Sequence, residues 1–502
     1  MAKKPFFQFS IIPLILSLFV FFLTFGHLKA TPPEPRMQIE NFISRMQLDS
    51  ATILLEEVKR PGYKAFYETN ILIYKYFSTQ NIDYIREVRK DWDKNIEALE
   101  GLPDTDSLKF VMLSEVQCKK AVVEFLDKNY LTAVRHARLG RNHIKESQKL
   151  FPKNISQNKI LGTFNVAFGG VPSKYKWITQ TLGFHGDVNE GIAQLERAAE
   201  SGTIFSTEAL IILFFVEKNM LNLSKEPIQR LENYRKEKGA SIMVDYFLAS
   251  GYQSLKKNDQ ALEILKNRDR YIGNGVFFSS YWDYSLGKAH YFKGENEEAK
   301  KYLSRFIKNH KGDLYRTDAL FRLGMALTFT NNYALGKHFF SLVTKEESSG
   351  FDEDEYAKYM SGEFARQQPD TNLLALFHAR NLYDGGYFDQ ALGILNKLET
   401  SKNTLNEDEV TELYYRLGRV YQSLAKWDLS RSYYQKTIEA SPETQTWMQA
   451  YSYYFLAEMA KSDQDYTIAR EFYQKALSFD DYFYQAGLEN RCKIALSDIK
   501  KK

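Results

Sequence analysis

His136 and His143 come closer than any other residues in this chain to a pair of metal ligands, standing seven residues apart where they could share one face of a helix. Zinc-binding histidines on a helix are spaced more tightly, as in HExxH, and the other histidines are scattered, so a surface pair is expected rather than a ligand set. The acidic run Asp352-Glu353-Asp354-Glu355 lacks the alternating oxygen ligands, central glycine and closing glutamate of a calcium loop, and reads as a solvated insertion or an extra polar helix. No GxSxG elbow, Walker-type phosphate loop or GxGxxG turn is present. Gly385-Gly386 falls between two helical patterns, where a turn accounts for both glycines. Cys118 and Cys492 lie in distant helical segments without a CxxC; free buried thiols are expected, a disulfide being the alternative. Carboxylates are plentiful, but no spacing shows a pair held at catalytic distance. The expectation is a chain with no catalytic residue, no cofactor and no metal site.

What remains is the chemistry of binding, and the elements that would position it are helices. In Tyr414–Pro442 the small Gly418 is followed after twelve residues by the small Ser430 and after sixteen by the large Tyr434. Small residues on two successive amphipathic helices let them approach closely while an aromatic fills the remaining gap, which makes a helical hairpin. The same frame fits Ala249/Ala261/Leu265, Gly287/Ala299/Leu303, Gly324/Gly336/Phe340, Ala379/Ala391/Leu395 and Ala457/Ala469/Tyr473. The first members are 38, 37, 55, 39 and 39 residues apart, with residues 345–372 filling the long gap. Ala121 and Ala133 repeat the twelve-residue relation in a degenerate copy. The pattern resembles the tetratricopeptide repeat, whose period is about 34 residues. That resemblance implies an all-α, right-handed solenoid in which the first helix of each pair lines the concave side.

In repeats of this kind the residues three before and one after the small anchor face the groove. At those places stand Tyr246, Tyr284, Phe321, Tyr415 and Tyr454, with Lys288, Arg380 and Arg419. The aromatics offer rigid contact area and the cations offer donors for carboxylates or backbone carbonyls, so this set is the candidate protein-binding groove. The alternative is that the aromatics only pack between neighbouring repeats. The basic clamp with which some tetratricopeptide proteins hold a C-terminal carboxylate would need Lys and Asn here, and aromatics stand there instead.

The segment from Gly162 to Gly191 carries a more specific resemblance. Gly162, Phe164, Asn165, Pro172, Leu182, Gly183, Phe184, Gly186, Asp187 and Gly191 match the central motif of the eukaryotic tetratricopeptide family that includes fungal inclusion-body-clearance proteins. Asp187 is placed to cap a helix beginning at Val188. What the family implies is a non-enzymatic scaffold or adaptor.

Bulk properties agree with a helical globular chain. Of 502 residues 44% are hydrophobic and 26% charged, with only 12 Pro, and a net charge of +4 that is spread too evenly for a nucleic-acid partner. The N-terminus differs. Lys3 and Lys4 precede an uncharged apolar run, Phe6 to Phe25, and Ala30 ends a plausible cleavage segment. This is the build of a secretory signal peptide, although the run would also span a bilayer as a retained anchor. Either places the rest of the chain outside the cytoplasm, in the periplasm or cell envelope for a bacterium. The Asn-x-Ser sites at Asn154 and Asn222 would matter only in a eukaryotic secretory route.

The expected organisation is a signal or anchor over residues 1–30, with membrane association possible through residues 6–25. A proline-rich spacer over 31–36 and an N-terminal helical region over 37–240 follow, then the repeat array over 241–485 and a capping helix over 486–502. The leading functional reading is an exported or membrane-tethered scaffold that binds a protein segment. The alternatives are a cell-envelope carbohydrate- or small-ligand-binding solenoid and an intracellular, organelle-anchored adaptor.

Overall fold

The computed structural model describes residues 35–171, 183–221, 224–267, 280–346, 352–441 and 446–500, together with Thr179 and Tyr271. The apolar N-terminal run, most of the spacer, and Pro172, Leu182, Asn222 and Pro442 lie outside the described residues. The described residues form helices in chain order. The N-terminal part holds α1 (Pro35–Ser44), α2 (Leu48–Leu54), α3 (Pro61–Thr79), α4 (Ile82–Glu100), α5 (Lys109–Leu126), α6 (Tyr130–Leu150), α7 (Asn158–Gly169), α8 (Val188–Glu200), α9 (Ser206–Met220) and α10 (Lys225–Lys238). Hairpins α11 (Ile242–Ser254) with α12 (Asn258–Leu265), α13 (Tyr281–Lys293) with α14 (Asn296–Asn309), and α15 (Arg316–Phe329) with α16 (Tyr333–Val343) follow. After α17 (Asp352–Arg366) come α18 (Thr371–Gly385) with α19 (Phe388–Thr400), α20 (Glu407–Ser423) with α21 (Trp427–Ala440), α22 (Thr446–Ser462) with α23 (Tyr466–Leu477), and the last helix α24 (Gln485–Lys500).

The spacing read from sequence is the packing code of these hairpins. Ala261, Leu265, Ala299, Leu303, Phe340, Ala391, Leu395, Tyr434, Ala469 and Tyr473 are all fully buried between the two helices of their pairs. A Cβ added at Gly287 would stand 2.7 Å from Leu303 Cγ, and one at Gly418 2.9 Å from the Tyr434 ring, so the small anchors are required by the closeness of the helices. Ser430 Oγ adds a hydrogen bond across the pair to the Gly418 carbonyl at 2.8 Å. First helices such as α13 are buried nearly all round, whereas second helices such as α14 bury a single stripe, Ala299, Leu303 and Phe306.

A feature absent from the sequence frame fixes the turn inside each hairpin. Seven residues after every anchor, Lys256, Gly294, Asn331, Gly386, Ala425 and Gln464 adopt the left-handed conformation. The next residue's N–H then reaches back to a helical carbonyl, as Lys257 to Tyr252 at 2.8 Å and Asp465 to Ala460 at 2.9 Å, which satisfies the helix end. Lys128 repeats this turn after Ala121, so the degenerate copy α5/α6 is a true hairpin of the series. Gln80 is also left-handed between α3 and α4, seven residues after Ile73, which with Ile85 stands in place of the small pair; there the next N–H, of Asn81, is taken by Thr79 Oγ1 at 3.2 Å. A non-glycine residue here carries about 1–2 kcal/mol of backbone strain. Ala425→Gly is therefore expected to raise stability by about 0.5–1 kcal/mol in urea denaturation, despite glycine's larger unfolded-state entropy.

The segment 345–372 is not a solvated insertion where it is described. α17 is an added helix that buries Ala357, Ser361 and Phe364 against α15 and α16. Its Asp354 caps α15 by accepting the N–H of Asp318 at 2.7 Å and of Tyr315 at 3.2 Å. The array curls back on itself: α24 touches α9, and Asn490 donates to the Gly170 carbonyl at 3.3 Å. Lys256 and Asp384, with two hairpins and α17 between them in the chain, pair at 2.6 Å.

Candidate binding site on the inner wall

The curl places the first helices of the hairpins around a common interior, and the sequence-derived groove residues divide there into two groups. Tyr284, Phe321, Tyr415 and Tyr454 are 3%, 5%, 2% and 1% exposed. Their rings belong to the core: Tyr284 donates to Asp318 at 2.6 Å and packs on Phe306, Phe321 sits among Phe340, Phe364 and Phe377, Tyr415 meets Trp447 edge-on at 5.1 Å, and Tyr454 packs on Tyr473. They hold neighbouring helices together and offer a ligand almost no surface. Tyr246, Lys288, Arg380 and Arg419 remain half-buried and form the wall itself.

The cations of this wall are surrounded by protein and differ in how they are neutralised. Arg380 donates to Tyr356 Oη at 2.5 Å and lies 3.9 Å from Asp384. Burial acts to raise the Asp384 carboxyl, but Lys256 and Arg380 beside it outweigh that and hold it well below the usual carboxylate range. Among the described residues Arg419 has no such partner. Its guanidinium lies 4.3 Å from the Phe455 centroid and 5.1 Å from that of Tyr383, Nη1 donates to Tyr415 Oη at 3.2 Å, and Nε makes no hydrogen bond. Lys288 lies 5.6 Å above Phe292, and its ammonium pKa is lowered by burial and by Arg322. Lys218 on α9, which sequence reasoning passed over, donates to Ser250 at 2.7 Å; burial and the charge of Lys288 lower its pKa to about 8. Arg491 on α24 also has an Nε without a hydrogen-bond partner. Such positions were invisible because only the closure of the array brings α9 and α24 to the same interior.

The central motif proves to be an architectural joint. A Cβ at Gly191 would meet Val166 Cγ2 at 2.6 Å and the Gly162 carbonyl at 2.8 Å, so these two glycines let α7 and α8 cross in contact. Asp187 caps α8 by accepting the Glu190 N–H at 2.9 Å, and Asn165 donates to Gln194 at 2.9 Å. Phe184 stacks on Phe168 at 4.2 Å and on Phe164 beyond it. Gly191→Ala is expected to cost about 1–3 kcal/mol, because the helices must part to admit the methyl group; a melting temperature unchanged from the parent would contradict this.

His136 is buried, not a surface residue, with Nδ1 2.6 Å from Gln117 Oε1 and its ring edge-on to Trp92; burial lowers its pKa to about 4. His143, on the same helix, shares no ligand cluster with it: among the described residues no group of three His, Cys, Asp or Glu could hold a metal. Cys118 and Cys492 are free and buried, and burial pushes both thiols up to about 12. Among the described residues no helix is long and apolar enough to cross a membrane.

Stacked hairpins with small-residue crossings, left-handed turns and a polar inner wall define a helical-repeat protein of the tetratricopeptide class. The chain contains tetratricopeptide repeats: residues 411–444 and 450–482 each match the tetratricopeptide repeat model, and residues 110–351 match the model of the Iml2/Tetratricopeptide repeat protein 39 family. The motif from Gly162 to Gly191 lies inside that longer match. No curated protein matches the chain as a relative. Among solved structures it is similar to the apo form of the quorum sensor NprR from B. thuringiensis, at 14% identity over 77% of this chain and 99% of that one, with a TM-score of 0.40. The apo form of RapI is matched at 15% identity over 80% of this chain and 95% of that one, with a TM-score of 0.24. The APC/C hetero-tetramer Cut9-Hcn1 is matched at 11% identity, 93% and 95% coverage and a TM-score of 0.29. At these values nothing about ligand or activity transfers.

Proposed function

We propose that the chain is a non-enzymatic scaffold that holds a segment of a partner protein against the inner wall of its helix array. The observation that carries this reading is Arg419, a cation set into the wall with, among the described residues, one nitrogen unsatisfied and no carboxylate paired with it. Burying a charge in that way is costly unless a ligand completes its hydrogen bonds. A carbohydrate ligand is disfavoured, because stacking on sugar faces needs exposed rings and Tyr284, Tyr415 and Tyr454 are buried. A photo-crosslinking side chain at Lys288 is expected to capture a protein in the native host, while the same group at Lys301 on the outer surface does not. Equal capture at both positions, or none at Lys288, would sink the reading.

Export or membrane tethering is part of the same proposal and is supported by Lys3, Lys4 and the apolar run Phe6 to Phe25. An intracellular, organelle-anchored adaptor is the second reading, favoured by the match of residues 110–351 to the Iml2/Tetratricopeptide repeat protein 39 family, a match that contains the motif from Gly162 to Gly191. Mass spectrometry of the mature N-terminus separates them. A new terminus close to Thr31 supports export with cleavage; an intact Met1 end removes the cleaved-signal form.

A further inference from the structure

We infer that the segment received by the inner wall is an acidic one, held through its carboxylates by Lys218, Lys288, Arg419 and Arg491. This deepens the scaffold reading above and rests on it. These four cations come from α9, α13, α20 and α24, helices distant in sequence that the curl of the array turns toward one interior. Among the described residues none of the four forms an ion pair, although carboxylates elsewhere on the wall are paired: Asp318 with Arg322 at 2.5 Å, Asp384 with Lys256 at 2.6 Å, and Glu412 with Arg416 at 2.9 Å. The wall therefore uses its own acids on some cations and leaves others open.

Two of the open cations are incompletely hydrogen-bonded as well, since Nε of Arg419 and of Arg491 is buried without an acceptor. An arginine Nε together with one Nη is the pair of donors that grips a carboxylate in two parallel bonds. The N-terminal segment is no candidate for the occupant. Its only charges before the spacer are the lysines Lys3, Lys4 and Lys29, of the same sign as the wall. A partner segment carrying Glu or Asp is complementary to both the charge and the open donors.

The test is fluorescence anisotropy of the full chain with a labelled peptide of alternating Glu and Leu, beside equal-length Ser-Leu and Lys-Leu peptides. The Glu-Leu peptide is expected to bind saturably, to weaken with salt, and to bind about tenfold more weakly to Arg419→Gln and to Lys288→Gln, with Lys301→Gln unchanged. If Arg419→Gln loses its helical circular dichroism, Lys218→Gln joined to Lys288→Gln carries the comparison. Equal binding of the Glu-Leu and Ser-Leu peptides overturns the inference, as does acidic-peptide binding that survives the substitutions. Displacement of the peptide by an equal concentration of inorganic phosphate also overturns it, because the site would then be one for a small anion. Crosslinking from Lys288 without any preference for acidic peptide removes this inference alone; loss of the crosslink removes the scaffold reading.

Discussion

Replacing Lys159 with methionine is expected to lower the stability of the N-terminal half by about 3–5 kcal/mol, a larger effect than any single change on the repeat surface. Lys159 is 0% exposed and bonds Glu208 at 2.6 Å and Glu115, both equally buried. Lys119, 1% exposed, closes the knot with Glu115 at 2.8 Å and Glu208 at 3.5 Å, and donates to Asn70 at 2.8 Å and Tyr74 Oη at 2.9 Å. Helices α3, α5, α7 and α9 are thus pinned at one point. Removing one cation leaves two desolvated carboxylates to share the other, whereas replacing all four charges with apolar groups of similar volume removes the desolvation cost along with the attraction and is expected to be close to neutral. Urea denaturation of the single and the fourfold variant separates the two cases. A fourfold variant as damaged as Lys159→Met would show that packing, not charge, is what the site supplies.

The same knot gives a dependence on pH. Burial and then the nearby charge of Glu115 push the Glu208 carboxyl up to about 7, from 4.5 for an exposed glutamate. A raised folded value means that the folded state binds a proton more tightly than the unfolded chain does. Glu208's contribution is therefore fully present below pH 4.5 and is lost as pH rises through 7. Glu208→Gln, which cannot ionise, is expected to flatten the stability profile across that window. Denaturation midpoints of the parent that do not fall between these pH values relative to the variant would count against the assignment.

These residues also show where sequence reasoning stops. The hairpins were legible because Gly418, Ser430 and Tyr434 and their equivalents repeat at fixed intervals, and the structure buries nearly all of them. Glu115 and Lys119, four apart, look instead like an ordinary solvated helix pair. The signal that they are buried is the sequence around them, VMLSEVQCKKAVVEF, which is apolar on every face; Glu208 stands likewise in TEALIILFF. The α3/α4 hairpin escaped the frame because the buried Ile73 and Ile85 stand where the other hairpins carry small residues; the left-handed turn at Gln80 reveals it. On the inner wall, the frame located Lys288, Arg380 and Arg419 but could not say which cations keep a carboxylate. That depends on Asp384 and Lys256 meeting across two hairpins and α17.

Tyr434→Ala is the corresponding test within the array, with an expected loss of about 3–5 kcal/mol. The Tyr434 ring is fully buried, fills the space left by Gly418, stacks on Phe455 at 5.3 Å and donates to Gln422 at 2.6 Å. Truncation leaves a cavity that α20 and α21 cannot collapse, because Ser430 and Gly418 already hold them at bonding distance. Tyr434→Phe removes only the hydroxyl and is expected to cost about 1 kcal/mol. Each hairpin of a solenoid leans chiefly on its neighbours, so the damage should be regional. Hydrogen exchange is expected to quicken over residues 407–477 in Tyr434→Ala while amides around the Lys159 knot keep their protection. Loss of protection over both regions together would mean that the contact of α24 with α9 makes the curled array one cooperative unit, and that the inner wall opens only when the whole chain unfolds.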